Sequence, residues 1–243
     1  MLRHSWPVGA FAAALLALAW PANALEAEPP SAAPASTPAR PAKTGFQAHF
    51  RTGVSAPMGN ASGDPGDKLA RRYAWQIPFA LDLGAKVTRF VFVGGYLHLG
   101  VGAEGSDAQV EDLCDDDDED WENDVGCSAV TVRLGLEAQY HFEPAAHMNP
   151  WLGYGIGFEA GIQSITDTTG YRENNTASGI TWAQLSGGLD FRNAVGIGPF
   201  AELAFGRYTT TRTETGNQVS STKIDDRAWH VWTTVGIRMV VRP

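Results

Sequence analysis

Long apolar runs are absent from this 243-residue sequence. The stretch from Val8 to Trp20 stays apolar for thirteen residues, whereas a membrane-spanning helix needs about 20. Nothing amphipathic of helical period follows it, which argues against a buried N-terminal helix. Cysteine is nearly missing too: Cys114 and Cys127 are the whole complement. No cysteine directly follows the small residues Ala22-Asn23-Ala24, which argues against a lipid-anchored N-terminus. Positive charge is in deficit, with 18 Lys+Arg against 27 Asp+Glu and a net charge of -9, so there is no basic footprint for a nucleic acid.

The N-terminal features that are present fit export. A basic start (Arg3, His4), the short apolar stretch and the small residues at Ala22 and Ala24 have the layout of a secretory signal peptide. Residues 1–24 are assigned to that signal. Residues 25–44 form a Pro/Ala-rich tail, with Pro29, Pro30, Pro34, Pro38 and Pro41, that lacks the bulky apolar residues a core needs. The folded part is expected over residues 45–243.

From Gly45 onward apolar and polar residues alternate. Phe46, Ala48, Phe50, Thr52 and Val54 oppose Gln47, His49, Arg51, Gly53 and Ser55. Trp75, Ile77, Phe79, Leu81 and Leu83 oppose Gln76, Asp82, Gly84 and Lys86, and Val130, Val132, Leu134 and Leu136 oppose Thr131, Arg133, Gly135 and Glu137. Period two means strands with one apolar face. Eight such runs are expected, four of them near 151–164, 179–192, 199–211 and 228–241. The connections alternate long (57–74, 105–128, 165–178, 212–226) and short (88–89, 143–149, 193–198). All long loops thus leave one rim and all tight turns the other. The fold class expected is all-β, an eight-stranded antiparallel up-and-down transmembrane β-barrel with long extracellular loops and short periplasmic turns, in the outer membrane of a Gram-negative bacterium.

A soluble eight-stranded ligand-binding barrel alternates as well, but with its polar face in water. Here the polar face is rich in glycine, including Gly84, Gly94, Gly135, Gly157, Gly188, Gly206 and Gly236. Glycine weakens an exposed strand, whereas inside a narrow barrel it makes room for long side chains from neighbouring strands. Aromatics near strand ends (Phe46, Trp75, Tyr140, Phe142, Phe191, Trp229) suit two interfacial girdles. Pro78, within the second strand, predicts a local bulge.

Particular motifs carry a resemblance. Gln76-Ile77-Pro78-Phe79 with Leu81-Asp82-Leu83-Gly84, then Phe92-Val93-Gly94-Gly95-Tyr96, Asn149-Pro150-Trp151-Leu152-Gly153-Tyr154-Gly155 and Gly196-Ile197-Gly198-Pro199-Phe200 resemble an outer-membrane β-barrel family of myxobacteria and their relatives. That family has no assigned activity, so the resemblance implies fold and location and no chemistry. The architecture is also similar to small OmpA/OmpX-type barrels, which implies a structural or surface-contact role.

Three groups of residues are candidate sites. Cys114 and Cys127 lie in the second long loop and are expected to form a disulfide, worth about 3 kcal/mol of loop ordering. Between them run Asp115, Asp116, Asp117, Asp118, Glu119 and Asp120, part of ten acids within residues 111–124. This is either a solvated acidic loop or a weak site for divalent cations; Trp121 where an EF-hand needs glycine excludes that motif. Inside the barrel, Arg51 with Asp82, Arg133 with Glu159, and Glu202 with Arg238 are expected as cross-strand ion pairs, with Lys86, Glu137 and Asp190 near them. Tyr96, Trp151, Trp182 and Trp232 are expected to share the bore.

No catalytic residue and no cofactor is expected, since the histidines do not converge on a nucleophile. Two functional classes remain open: a scaffold with a filled bore that presents loops, or a narrow channel for ions or small solutes. An outer-membrane enzyme is the remote third. Expected partners are outer-membrane lipids and lipopolysaccharide, the barrel assembly machinery, and divalent cations at the acidic loop.

Overall fold

The computed structural model describes residues 44–105, 126–166, 172–191, 195–216 and 218–241. The alternating segments become β1 (Gly45–Gly59), β2 (Tyr73–Lys86), β3 (Val91–Glu104), β4 (Gly126–His141), β5 (Met148–Thr166), β6 (Arg172–Phe191), β7 (Gly196–Thr215), the short β8 (Gln218–Lys223) and β9 (His230–Val241). One four-residue helix, α1 (Leu69–Arg72), lies between β1 and β2. Each strand from β1 to β7 pairs antiparallel with the next. β9 pairs with β7 on one side and β1 on the other, which closes the sheet. β8 pairs with the outer end of β7 alone. The closed barrel therefore has eight staves.

Register fixes the barrel's dimensions. A path across the strands from Phe46 runs through Ala85, Val93, Ala138, Tyr154, Leu185, Leu203 and Thr233 and returns to β1 at Ala56, ten residues from its start. With a strand spacing of ~4.8 Å and a rise of ~3.3 Å per residue, that stagger tilts the strands by about 40° and sets a backbone radius of about 8 Å. Once side chains project inward, such a bore is only wide enough for them to fill.

The two faces are sorted oppositely to a soluble protein. Leu136 is 69 % exposed on the outer surface, while its neighbour Glu137 points inward and is 4 % exposed. Phe46, Phe50, Trp75, Phe79, Leu97, Leu134, Tyr140, Leu152, Phe158 and Ile237 are likewise exposed on the outside. Gln47, His49, Arg51, Asp82, His98, Arg133, Gln139, Glu159, Glu202 and Arg238 are buried on the inside. The period-two pattern thus coats the barrel with apolar side chains and packs the polar ones within.

At the turn rim the connections are short and satisfied locally. Thr88 Oγ1 accepts from the backbone N–H groups of Phe90 and Val91 at 3.2 and 3.0 Å, and Asn149 Oδ1 accepts from the Glu143 N–H at 3.2 Å. At the opposite rim the strands run further than their apolar pattern announces. The expected loop at 165–178 is strand except for residues 167–171, which lie outside the described residues, and the expected loop at 212–226 contains the ends of β7 and all of β8. These extensions are rich in Thr, Ser and Asn on both faces, so they carry strand propensity without apolar alternation. The turn joining β7 to β8 uses Gly216, whose φ of +57° favours glycine.

Two other expectations are corrected. Pro78 produces no bulge: it stays in register with Gly100 of β3. Towards β1 the ladder passes from Thr52–Phe79 to Ser55–Gln76 without changing register, so the missing N–H leaves a gap in pairing and nothing more. Trp182 does not share the bore. It faces outward and is 48 % exposed, because a register shift between Thr181 and Ala183 moves the alternation by one residue, leaving Thr181 and Gln184 inside.

Candidate functional site

The strand periodicity delivers a column of polar side chains into the bore. Four cations (Arg51, Lys86, Arg133, Arg238) and five carboxylates (Asp82, Glu137, Glu159, Asp190, Glu202) are buried there among the described residues. Arg51 is the hub. It donates to Asp82 Oδ1 at 2.7 Å and to Glu202 Oε2, lies 4.0 Å from Glu137 Oε2, and sits over the Phe200 ring. Directly opposite Asp82 stands His49, so the Arg51–Asp82 contact is made diagonally, two residues along β1.

Arg133 and Glu159 are register neighbours, yet their side chains part. Arg133 donates to Glu202 Oε1 at 3.1 Å and to His98 Nε2 at 2.8 Å. Glu159 meets His230 Nε2 and accepts from Thr181 Oγ1 at 3.2 Å. Glu202 and Arg238 are not brought together, since Glu202 lies opposite Thr234 and Arg238 opposite Gly198. Arg238 donates to Gln139 Oε1 at 2.7 Å, lies 3.8 Å from Asp190, and stacks on Trp151 with its guanidinium 3.9 Å from the ring centre. The physical reason is reach. In a bore this narrow, long side chains cross to opposite strands, and one carboxylate, Glu202, serves two arginines.

Glycine makes this crossing possible at a specific point. A Cβ on Gly206 would sit 2.3 Å from Glu159 Oε1 and 2.7 Å from His230 Nε2, inside their contact. His230 in turn packs its ring against Tyr208 at 4.3 Å.

Above the charged column lies an apolar seal that the alternation pattern does not reveal. Leu69 of α1, fully buried, packs with Ala61, Tyr73, Ala129, Ala177, Ala204, Tyr208 and Trp232 in the mouth of the barrel. The segment carrying it is tied down. Arg72 grips Asp67 in a two-pronged contact at 2.6 and 2.9 Å, Ser62 Oγ donates to the same carboxylate, Gln163 donates to the Arg72 carbonyl, and the Gly63 N–H donates to the Asp226 carbonyl. The sequence signal was a lone leucine in an otherwise polar connection, which does not distinguish a plug from a surface residue.

His49, Asp82 and Glu137 each bring one ligand-type atom within 4.8 Å of the others, a geometry that a metal ion could use. Arg51 already bonds Asp82 and Arg238 approaches His49 Nδ1 at 3.1 Å, so two guanidinium groups supply the positive charge there. Around Arg51, Pro78, Ala80, His98 and Phe200 the packing leaves no room for a water molecule. Chemically, this level of the bore is a filled electrostatic core. Cys114 and the acids Asp115 to Asp120 lie outside the described residues; of that pair only Cys127, in β4, has a described backbone.

No family model matches the sequence, and no curated protein matches it. The resemblance to the myxobacterial family therefore rests on its motifs alone. Among solved structures, the chain is similar to Neisserial surface protein A, at 11% identity and a TM-score of 0.42, over 81% of this chain and 97% of that one. Ail, the attachment invasion locus protein of Yersinia pestis, in complex with the heparin analogue sucrose octasulfate, aligns at 12% identity and a TM-score of 0.44, over 80% and 98%. A major outer membrane protein from Thermus thermophilus aligns at 11% and 0.42, over 79% and 99%. Likenesses this distant do not bear on a role for this chain.

Proposed function

We propose that this protein is an outer-membrane barrel of a Gram-negative bacterium that acts as a non-catalytic scaffold, holding its outer-rim segments on a closed, side-chain-filled frame. One observation carries the reading: the barrel wears its apolar residues outside and buries its charges inside. Exposed aromatic and aliphatic side chains ring all eight staves, an arrangement that is stable in lipid and aggregation-prone in water. Closure supplies the second requirement of a bilayer, since every stave has two hydrogen-bonded neighbours and no edge is left open within the belt.

The bore supports a scaffold over a channel. A charged column fills it and a leucine-centred seal covers it, so a solute would have to displace both. Interaction then falls to the outer rim, where the polar strand extensions stand. Purified protein refolded into liposomes tests this directly. The expected result is a compact form of altered mobility on unheated denaturing gels, staves protected from protease, and no steady single-channel conductance. Extraction as a folded monomer into buffer without detergent would sink the membrane reading, and a stable open conductance would turn the scaffold into a channel.

A further inference from the structure

The geometry points to a binding site for a phosphorylated, multi-acyl lipid on the outer wall of β4 to β7, with Arg207 as the phosphate ligand. The inference rests on the outer-membrane reading above and deepens it by naming a lipid class. Within the belt bounded by Phe46 below and by Trp75 and Trp229 above, Arg207 is the sole ionised side chain facing outward among the described residues. It belongs to the outward series Leu203, Phe205, Arg207 of β7, opposite Ile180 of β6. An arginine in this position requires an explanation, because the outward residues below it on β7, Leu203 and Phe205, and its cross-strand partner Ile180 are apolar, and only Thr209 above it is polar.

Two features say what it is arranged for. First, its guanidinium lies flat over the Trp229 ring, 4.1 Å from the centroid, while its Nε is buried with no hydrogen-bond partner. Stacking holds the plane of the group and leaves its two Nη groups as a fork, the geometry that phosphate oxygens accept in pairs. Second, an apolar groove of about 380 Å³ opens beside it on the lipid-facing wall, walled by Val132, Leu134, Phe158, Ala160 and Ile180. The groove exists because Ala160 and Ser178 are small where the surrounding outward positions are bulky, and because the β6–β7 register shifts between Ser178 and Gly179. Its polar upper end is already satisfied, with Thr209 Oγ1 donating to the Ser178 carbonyl. Glu159 also borders the groove, but its carboxylate is held by Thr181 and His230.

An acyl chain in the groove and a phosphate on Arg207 satisfy both features at once. The order is right for the outer leaflet: the cation stands at the girdle level of Trp229 and the groove continues along Ile180 and Phe158 into the apolar belt. A neutral lipid would fill the groove but leave the guanidinium fork unused in a poorly hydrated setting.

The test uses the full chain in dodecyl maltoside with two probes, diphosphoryl lipid A and the same lipid A dephosphorylated, and reads the bound lipid by native mass spectrometry. Wild-type protein is expected to retain the phosphorylated form about tenfold better, the ratio a charge-assisted hydrogen-bond pair supplies. Arg207→Gln should abolish that preference while leaving residual binding of both lipids. Ala160→Phe, which fills the groove, should lower retention of both forms and keep their ratio. Equal retention of the two lipids by wild type, or an unchanged preference in Arg207→Gln, overturns the site. Insertion into liposomes, scored by gel mobility for each protein, separates the two readings. Wild type that stays out of the bilayer overturns both, whereas normal insertion without phosphate preference overturns the lipid site alone.

Discussion

Replacing Arg51 by methionine removes a charge while keeping much of the side chain's volume, and so isolates the electrostatic part of the bore. The guanidinium holds Asp82 at 2.7 Å, Glu202 by direct contact and Glu137 at 4.0 Å, all at 4 % exposure or less. After Arg51→Met, Glu202 keeps Arg133 at 3.1 Å, but Asp82 is left with His49 at 3.5 Å and no arginine. A stranded buried charge costs about 3–5 kcal/mol, and that is the expected destabilisation. Asp82→Asn alone should cost less, about 1–3 kcal/mol, because Arg51 retains two carboxylates. The double variant should then be more stable than the sum of the singles implies, by up to about 3 kcal/mol, since it removes the stranded carboxylate with its partner. Reversible urea unfolding of the refolded barrel, followed by tryptophan fluorescence and by gel mobility together, measures all four corners of the cycle. Additivity within about 0.5 kcal/mol, or a loss below that figure for Arg51→Met, would refute the claim that the column is dry and tightly coupled.

Further outcomes follow from other parts of the molecule. Leu69→Asp should loosen the seal, making residues 61–72 sensitive to protease, yet leave conductance near zero because the charged column beneath is intact; a steady current in this variant would locate the barrier in the seal instead. Leu136→Lys, on the apolar face about midway up the belt, should destabilise the barrel by about 2–4 kcal/mol in liposomes, and a change within about 0.5 kcal/mol in urea titrations would argue against lipid contact there. Serine at both Cys114 and Cys127 should leave the barrel folded and increase protease cutting within 105–128; failure of that variant to assemble would mean that the pair serves the barrel rather than its loop.

Legibility differed by element for physical reasons. The eight staves could be read because one apolar face repeats every second residue, and the inward set, from His49 and Arg51 to Arg238, followed from the same parity. Pairing within the bore could not be read. Neighbour relations such as Arg133 with Glu159 are properties of the ladder, whereas the contacts made depend on which long side chain crosses a barrel of about 8 Å backbone radius, which register alone does not specify. Trp182 was misplaced because a single extra residue at a bulge inverts the parity of everything around it. Leu69 went unnoticed as a seal because one apolar residue in a polar connection has no periodicity to announce it.

The barrel's seam joins its first and last staves. β1 and β9 are the first and last strands, and their contact ties His49 to Arg238 across 189 residues of sequence. Until that final pairing forms, the growing sheet has two raw edges, each a row of unpaired N–H and C=O groups that lipid cannot satisfy. A partly assembled intermediate is therefore penalised in the bilayer, and a protein of this topology gains little from adding staves one at a time. Assembly must either deliver all eight strands nearly together or lend a temporary strand to the open edges until the last stave meets the first.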